Sequence, residues 1–150
     1  MEIEPLAEPE LPLIRPLLLD LIRTEQESSG EVSARLDQLS SWLPATKPSF
    51  SGENQIFVAR EAGLLLGFCW CVLFDPGTGL EGEVAELYVV PEARGRGLAG
   101  QLVGKAVELF ASRHVTFACV WTRAENQPAL RAYRRAGFAP TEQLVLTWYP

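Results

Sequence analysis

The segment from residue 94 to residue 100 interleaves two arginines with three glycines. Its members are Arg94, Gly95, Arg96, Gly97, Leu98, Ala99 and Gly100. A β-rich run ends just before this segment and a helical pattern begins within it, so free backbone N–H groups and the positive end of a helix dipole converge there. Two guanidinium groups in an otherwise acidic chain strengthen such a site for anions. The sequence therefore predicts an anion site with the chemistry of a pyrophosphate pocket.

The same segment also satisfies a second, looser pattern. Gly95-Arg-Gly-Leu-Ala-Gly100 is a G-x-G-x-x-G, and Glu125 follows at about the distance seen in dinucleotide-binding folds. In those folds the first glycine follows the first strand directly, whereas Pro91 to Arg94 intervene here and too little chain remains for further βαβ units. A nucleotide-dependent redox protein is therefore the weaker alternative. A P-loop is excluded because no Gly-Lys-Ser/Thr follows.

The composition is that of a folded protein. The chain has 150 residues, 47% of them apolar and 21% charged, which excludes disordered and repetitive classes and predicts one domain over residues 1–150. The formal net charge of −6 argues against nucleic acid as the main partner, because phosphate binding requires an excess of Lys and Arg. The longest apolar run, residues 63–74, is too short to cross a membrane, and no signal peptide is visible. We expect a cytoplasmic protein without a membrane partner.

The cysteines and the histidine offer little chemistry. Cys69 and Cys71 lie two apart in a strand-like run and are predicted to be small buried side chains, while Cys119 leaves the count odd. No zinc spacing or disulfide framework is present. His114 is the only histidine and falls in a predicted turn after a helix. We expect no metal.

The periodicity of apolar residues predicts alternating strands and helices. Helices are predicted over residues 13–23, 32–43, 97–112 and 127–136, and strands over residues 2–6, 55–60, 64–74, 83–90, 115–122 and 144–148. Glu61-Ala-Gly63 joins two of these strands as a hairpin. The order is a hairpin followed by β-α-β-α-β. The fold class is α/β, with a central β-α-β unit.

Two motifs in this order resemble the GCN5-related N-acetyltransferase (GNAT) family. The family pattern R/Q-x-x-G-x-G/A is met by Arg94-Gly-Arg-Gly-Leu-Ala99, which follows the family-like strand "ELYVVP". The segment Asn126-Gln-Pro-Ala-Leu-Arg-Ala-Tyr133 is similar to the second motif of the family, which ends with Gly-Phe, here Gly137-Phe138. The resemblance covers residues 83–138. It implies a single GNAT-like domain with a mixed, mostly antiparallel sheet and flanking helices.

The resemblance also implies an acetyl-CoA site between the strand that ends at Val90 and the strand that ends near Thr122. The backbone of Leu87, Tyr88 and Val89 would hydrogen-bond the pantetheine arm. The segment 94–100 would hold the pyrophosphate through its N–H groups, and Asn126 would hold the other side.

The catalytic residues are assigned by the same resemblance. Tyr133 stands at the position of the family's catalytic tyrosine, the acid that protonates the leaving thiolate. An attacking amine must lose a proton, so a base or a water chain leading to one is needed. Glu83 matches the catalytic glutamate of the histone-acetylating branch, and Glu86 is the next acidic residue. Strict alternation would place these two carboxylates on opposite faces of the strand, and we favour Glu83.

The predicted function is acetyl transfer from acetyl-CoA to a primary amine by direct attack on the thioester. The predicted acceptor is a small cationic amine, an amino-acid-like amine or a peptide or protein amine, and the acidic segment Glu25–Glu31 would suit a cation. The alternative is an acyl-CoA-binding module without catalysis. The β-rich end of the chain leaves a monomer and a homodimer equally open.

Overall fold

The computed structural model describes residues 1–29, 52–75 and 79–148. The helices are α1 (Arg15–Ser29), α2 (Leu98–Ser112) and α3 (Gln127–Arg135), and the strands are β1 (Glu2–Pro5), β2 (Glu53–Glu61), β3 (Leu64–Phe74), β4 (Glu81–Val89) and β5 (Phe117–Val120). Short 3-10 segments precede α1 and follow β4, at Glu8–Ile14 and Pro91–Ala93. The helix predicted over residues 32–43 lies outside the described residues.

The five strands form one sheet in the order β1-β2-β3-β4-β5. The first four are antiparallel to their neighbours, and β5 is parallel to β4. A parallel neighbour requires a crossover, which α2 supplies. The mixed α/β class and the central β4-α2-β5 unit are therefore as predicted.

Two hydrophobic layers cover the two faces of the sheet. On one face, α2 and α3 pack on Cys69, Cys71 and Val84 through side chains that include Leu102 and Tyr133. On the other face, the first 3-10 segment and α1 pack on a set of apolar side chains that includes Ile56, Val58, Phe68 and Tyr88. We call these the α2 face and the α1 face.

A β-bulge interrupts β4 in its middle. Glu86 pairs with Trp70 and Val84 pairs with Cys71, so Ala85 is an extra residue with no partner on β3. A bulge of this kind resets the alternation of side chains by one position. The faces of β4 before and after Ala85 therefore cannot be counted by simple alternation.

The sequence predictions were wrong about the end of one helix and about the last strand. The helix predicted over residues 13–23 continues to Ser29, so most of the acidic segment Glu25–Glu31 is helical and not a connection between helices. The strand predicted over residues 144–148 is not formed in the described structure, where these residues belong to no helix or strand. Apolar alternation gives a segment the ability to form a strand, but a strand exists only beside another.

The hairpin between β2 and β3 turns through Ala62 and Gly63, as predicted, with both residues at positive φ. Cys69 and Cys71 are fully buried, also as predicted. Within the described ranges, no helix is long and apolar enough to cross a membrane, and no cluster of His, Cys, Asp and Glu is placed to bind a metal.

Candidate functional site

The strands β4 and β5 are paired only at their beginnings. The ladder joins Glu81–Val84 to Phe117–Val120, whereas β4 continues to Val89 with no β5 partner in the described chain. The edge of β4 from Ala85 to Val89 therefore has no ladder partner on the β5 side, and we call the space beside it the wedge. Backbone N–H and C=O groups on such an edge are available to an extended ligand.

The loop after β4 connects the end of this strand to the start of α2. Gly95 and Gly97 have φ of 77° and 80°, a conformation that residues with a Cβ rarely adopt. Gly97 is the N-cap of α2 and provides no side chain to accept from the first N–H groups. A Cβ at Gly95, Gly97 or Gly100 would meet no atom within 4 Å, so the helix start opens into free space.

Two buried side chains hold this loop in place. Ala93 and Leu98, on either side of the glycines, are each 1% exposed and belong to the core on the α2 face. The free N–H groups at the start of α2 are thus fixed in direction before any ligand arrives, which is the property that an anion site needs.

The two arginines are held by other parts of the protein. Arg94 donates from Nε to the Val89 carbonyl at 3.0 Å, and its guanidinium lies 5.8 Å from the centre of the Tyr88 ring. Arg96 donates to the Glu61 carboxylate at 2.7 Å and remains exposed. This pairing lowers the pKa of Glu61. The sequence presented both arginines as ligands for an anion; in the structure, Arg94 ties the loop to the end of β4.

Asn126 begins α3 as its N-cap. Its side-chain oxygen accepts from the Ala129 N–H at 3.3 Å, which satisfies one of the free donors at the start of the helix. This contact is a structural role that the sequence analysis did not assign, in addition to the predicted role in binding.

Tyr133 lies inside the α2 face, where α3 buries it against the sheet. Its side chain is 6% exposed, and its ring packs edge-on against Phe138 with the centroids 5.8 Å apart. Burial raises the pKa of the Tyr133 hydroxyl above its usual value, and the nearby Cys69, Glu86 and Cys71 act in the same direction. The phenol is therefore kept protonated, which is the state that a general acid requires.

Glu83 and Glu86 lie on the same face of β4, which corrects the expectation from alternation. Glu83 pairs with Val72 and Glu86 pairs with Trp70, two positions apart on β3, because the bulge at Ala85 resets the alternation. Both carboxylates therefore belong to the α1 face.

Their surroundings along β4 differ. Glu83 lies opposite Cys119 in the paired part of the β4–β5 ladder and contributes to raising the pKa of that thiol. Glu86 lies beyond the paired part, beside the wedge, and is the carboxylate that acts on Tyr133. Glu86 and Tyr133 thus lie on opposite faces of the sheet, with Glu86 beside the edge of β4 that has no β5 partner and Glu83 in the ladder.

The sequence analysis did not assign three residues to the surroundings of the site. Cys69 and Cys71, with sulfur atoms 3.9 Å apart, are near enough to Tyr133 to raise its pKa. Glu61, the partner of Arg96, comes from the hairpin turn 35 positions earlier. The register of the strands places these residues beside Tyr133 and Arg96, and no local sequence pattern predicts that register.

Comparison with known proteins decides the family. The model of the Acetyltransferase (GNAT) family matches residues 18–138, most of the chain. The chain belongs to the GNAT family. The wedge, the start of α2 and Tyr133 all fall within the part of the chain that matches this GNAT model.

The curated relatives include mycothiol acetyltransferases. One from Tsukamurella paurometabola is 39% identical over 83 residues, which are 55% of this chain and 28% of that protein. Another, from Amycolatopsis mediterranei, is 30% identical over 123 residues, 79% of this chain and 38% of that protein. This GNAT chain therefore spans well under half the length of these relatives.

Solved structures share the fold at low identity. An aminoglycoside acetyltransferase from an uncultured soil metagenomic sample, crystallised with sisomicin, has a TM-score of 0.70 and 18% identity. The match covers 99% of this chain and 95% of that one. It shows the GNAT fold.

Proposed function

We propose that this GNAT chain transfers an acetyl group from acetyl-CoA to a primary amine. The observation that carries the proposal is that three features border one core on the α2 face: the edge of β4 from Ala85 to Val89, which has no ladder partner on β5, the uncapped start of α2 and the buried Tyr133. The first suits an extended amide chain, the second a pyrophosphate and the third a leaving thiolate.

The binding roles follow from the chemistry of each part of acetyl-CoA. The N–H groups of the segment 94–100 bind the pyrophosphate, and the fixed start of α2 adds its dipole. Leu87, Tyr88 and Val89 offer backbone groups to the two amides of the pantetheine arm, as a neighbouring strand would. Asn126 borders the opposite side of the wedge at the start of α3.

Tyr133 acts as the general acid. The amine nitrogen forms a bond to the thioester carbonyl carbon, and the carbon–sulfur bond then breaks. Tyr133 gives its proton to the departing sulfur, and the thiol leaves neutral. The proton is present at neutral pH, as a general acid requires, although the raised pKa makes this phenol a weaker acid than a free tyrosine.

Glu86 takes the proton from the amine, either directly or through water. Its place beside the wedge and its influence on Tyr133 support this role over Glu83, which lies in the paired ladder. A carboxylate on the α1 face would receive an amine that enters from the side opposite α2, while Tyr133 would act from the α2 face.

The pair Glu86→Gln and Glu83→Gln tests this assignment, since each is the matched control of the other. We expect Glu86→Gln to lower kcat by on the order of 10²-fold and to remove the acidic limb of the pH–rate profile, with acetyl-CoA affinity kept. Glu83→Gln should retain that limb. Loss of the limb in Glu83→Gln alone would return the role to Glu83.

We further infer that the acceptor is a small-molecule amine. The relatives named mycothiol acetyltransferases and the structural neighbour named an aminoglycoside acetyltransferase, crystallised with sisomicin, support this class over a peptide amine. An amine panel with CoA release as the readout tests it. Binding of acetyl-CoA without turnover of any amine would favour the non-catalytic acyl-CoA-binding module.

A further inference from the structure

The α1 face of β4 carries three carboxylates in a line, here called the acidic row. The row consists of Glu81, Glu83 and Glu86, which pair with Phe74, Val72 and Trp70 of β3. Successive partners on β3 are two positions apart, so the row is about 13 Å long. All three carboxylate side chains are half-buried, and in the described ranges no ion pair involves Glu81 or Glu83. The row therefore presents an extended line of negative charge.

Aromatic side chains from β3 border one side of the acidic row. Phe74 lies opposite Glu81, and Trp70 lies opposite Glu86 at the other end of the row. The Trp70 indole donates from Nε1 to Asn54 Oδ1 at 3.0 Å, which fixes the orientation of its ring. Side chains of paired residues on neighbouring strands lie within contact range of each other. Both rings are therefore within reach of a ligand that lies on the row.

Aromatic side chains from β5 border the other side of the row. Phe117 lies beside Glu81, and Cys119 lies beside Glu83, in the β4–β5 ladder. Trp121 follows two residues after Cys119, and its hydrogen bond to the Cys119 thiol opposes the rise in the pKa of that thiol that burial causes. Phe117 is 51% exposed and Trp121 is 68% exposed, so both rings are accessible. The acidic row thus runs between two lines of aromatic rings.

Tyr88 continues the face of the acidic row two residues beyond Glu86. Its side chain is 4% exposed and belongs to the apolar layer that α1 covers. In the described residues, its hydroxyl is buried without a hydrogen-bond partner. A buried polar group of this kind lowers the free energy of unfolding, and its presence calls for an explanation. The N–H groups of a bound amine would supply the missing partner.

On the basis of the acetyl transfer proposed above, we propose that the acceptor is a linear polyamine that lies along the acidic row. Its reacting amine lies at Glu86, beside the wedge, where the Tyr88 hydroxyl is a further hydrogen-bond acceptor. Its remaining ammonium groups lie at Glu83 and Glu81, between the aromatic rings.

Each part of a linear polyamine meets a matching surface on this face. Carboxylates attract the ammonium groups, and the aromatic rings bind cations on their faces and pack against the methylene spacers. The net charge of −6 draws a polycation toward the protein. A monoamine would occupy only the Glu86 end of the row and would gain nothing from Glu83 or Glu81.

Calorimetric titration of the CoA-loaded chain tests the acidic row without requiring turnover. Spermidine, a linear triamine, should bind with a dissociation constant at least about tenfold below that of n-butylamine, and the difference should shrink at high salt. Equal affinities for the two amines would overturn the proposal, and acetylation of n-butylamine in the same experiment would leave acetyl transfer intact. Tight binding of spermidine without acetylation of any amine would support the row and contradict the proposed function alone.

Glu83→Gln and Glu108→Gln remove the same charge at two different places. Glu108 is exposed on α2, on the other side of the sheet, where it pairs with Lys105. Glu83→Gln should raise the dissociation constant of spermidine by about fivefold and that of n-butylamine by less than about twofold. Glu108→Gln should bind both amines like the unmodified chain. Equal weakening of spermidine by the two variants would mean that net charge alone attracts the polyamine, and would overturn the proposal.

Trp121→Leu tests the aromatic border of the row. Leucine keeps an apolar side chain but lacks the ring face that attracts a cation, so the dissociation constant of spermidine should rise about two- to fivefold. Because Trp121 is largely exposed, the thermal midpoint should stay within about 2 °C of the unmodified chain. An unchanged affinity for spermidine would overturn the placement of its ammonium groups between the rings.

Discussion

Tyr133 is the residue in which burial and chemistry are most closely linked. α3 buries it against the sheet, and burial together with Cys69, Glu86 and Cys71 raises the pKa of its hydroxyl. The sequence pointed to Tyr133 through its place in a motif. The environment that holds its proton more tightly could not be predicted from the motif, because Cys69 and Cys71 are brought to Tyr133 only by the fold.

Tyr133→Phe removes the acidic proton and keeps the ring that packs on Phe138. We expect kcat to fall by on the order of 10²-fold, because an acid of this kind contributes about that much. Acetyl-CoA affinity, measured by titration calorimetry, should stay within about twofold of the unmodified chain. An equal loss of kcat and affinity would show that the hydroxyl serves binding instead.

The stability of Tyr133→Phe at alkaline pH gives a second readout. A free tyrosine loses its proton near pH 10, whereas the buried Tyr133 keeps its proton to a higher pH. Above pH 10 the unfolded chain therefore binds fewer protons than the folded one, and stability falls as pH rises. Urea unfolding should show a shallower decline above pH 10 for the variant. The same decline in the free energy of unfolding for both proteins would mean that the pKa of Tyr133 is not raised.

At the scale of the elements, the start of α2 determines the direction of its free N–H groups, and the bulge in β4 determines which face carries Glu83 and Glu86. The glycine spacing allowed the turn at Gly95 and Gly97 to be predicted, because positive φ leaves few alternatives. The bulge at Ala85 could not be predicted, since nothing distinguishes this alanine from any other strand residue. That single extra residue decides that Glu83 and Glu86 share a face.

Gly97→Ala and Gly104→Ala compare the same substitution at two positions of one helix. A Cβ would meet no atom within 4 Å at either site, so crowding plays no part. Gly97 has φ of 80°, and an alanine there should cost about 1–2 kcal/mol of the free energy of unfolding. Gly104 lies in the helix interior, where alanine should add about 0.5–1 kcal/mol. Shifts of the same sign in urea titrations would contradict this account of the turn.

At the scale of the whole molecule, the order of elements was more predictable than their ends. Four of the strands near the centre of the chain and both helices of the β-α-β-α unit follow from hydrophobic periodicity, which local sequence carries. The C-terminal strand predicted over residues 144–148 did not form, because its pattern specifies a face but not a partner. The early end of the β4–β5 ladder, which leaves the wedge beside β4, is likewise a property of the assembled sheet.

The central claim is that the wedge and the start of α2 hold acetyl-CoA. Thermal unfolding in the presence of acetyl-CoA, CoA or NADH tests it most directly. A ligand at 100 times its dissociation constant adds about 2.7 kcal/mol, and each kcal/mol raises the midpoint of a chain of this size by about 2–4 °C. We predict a rise of roughly 5–10 °C with acetyl-CoA and with CoA and none with NADH. No rise with either CoA species, or a rise with NADH alone, would contradict the account.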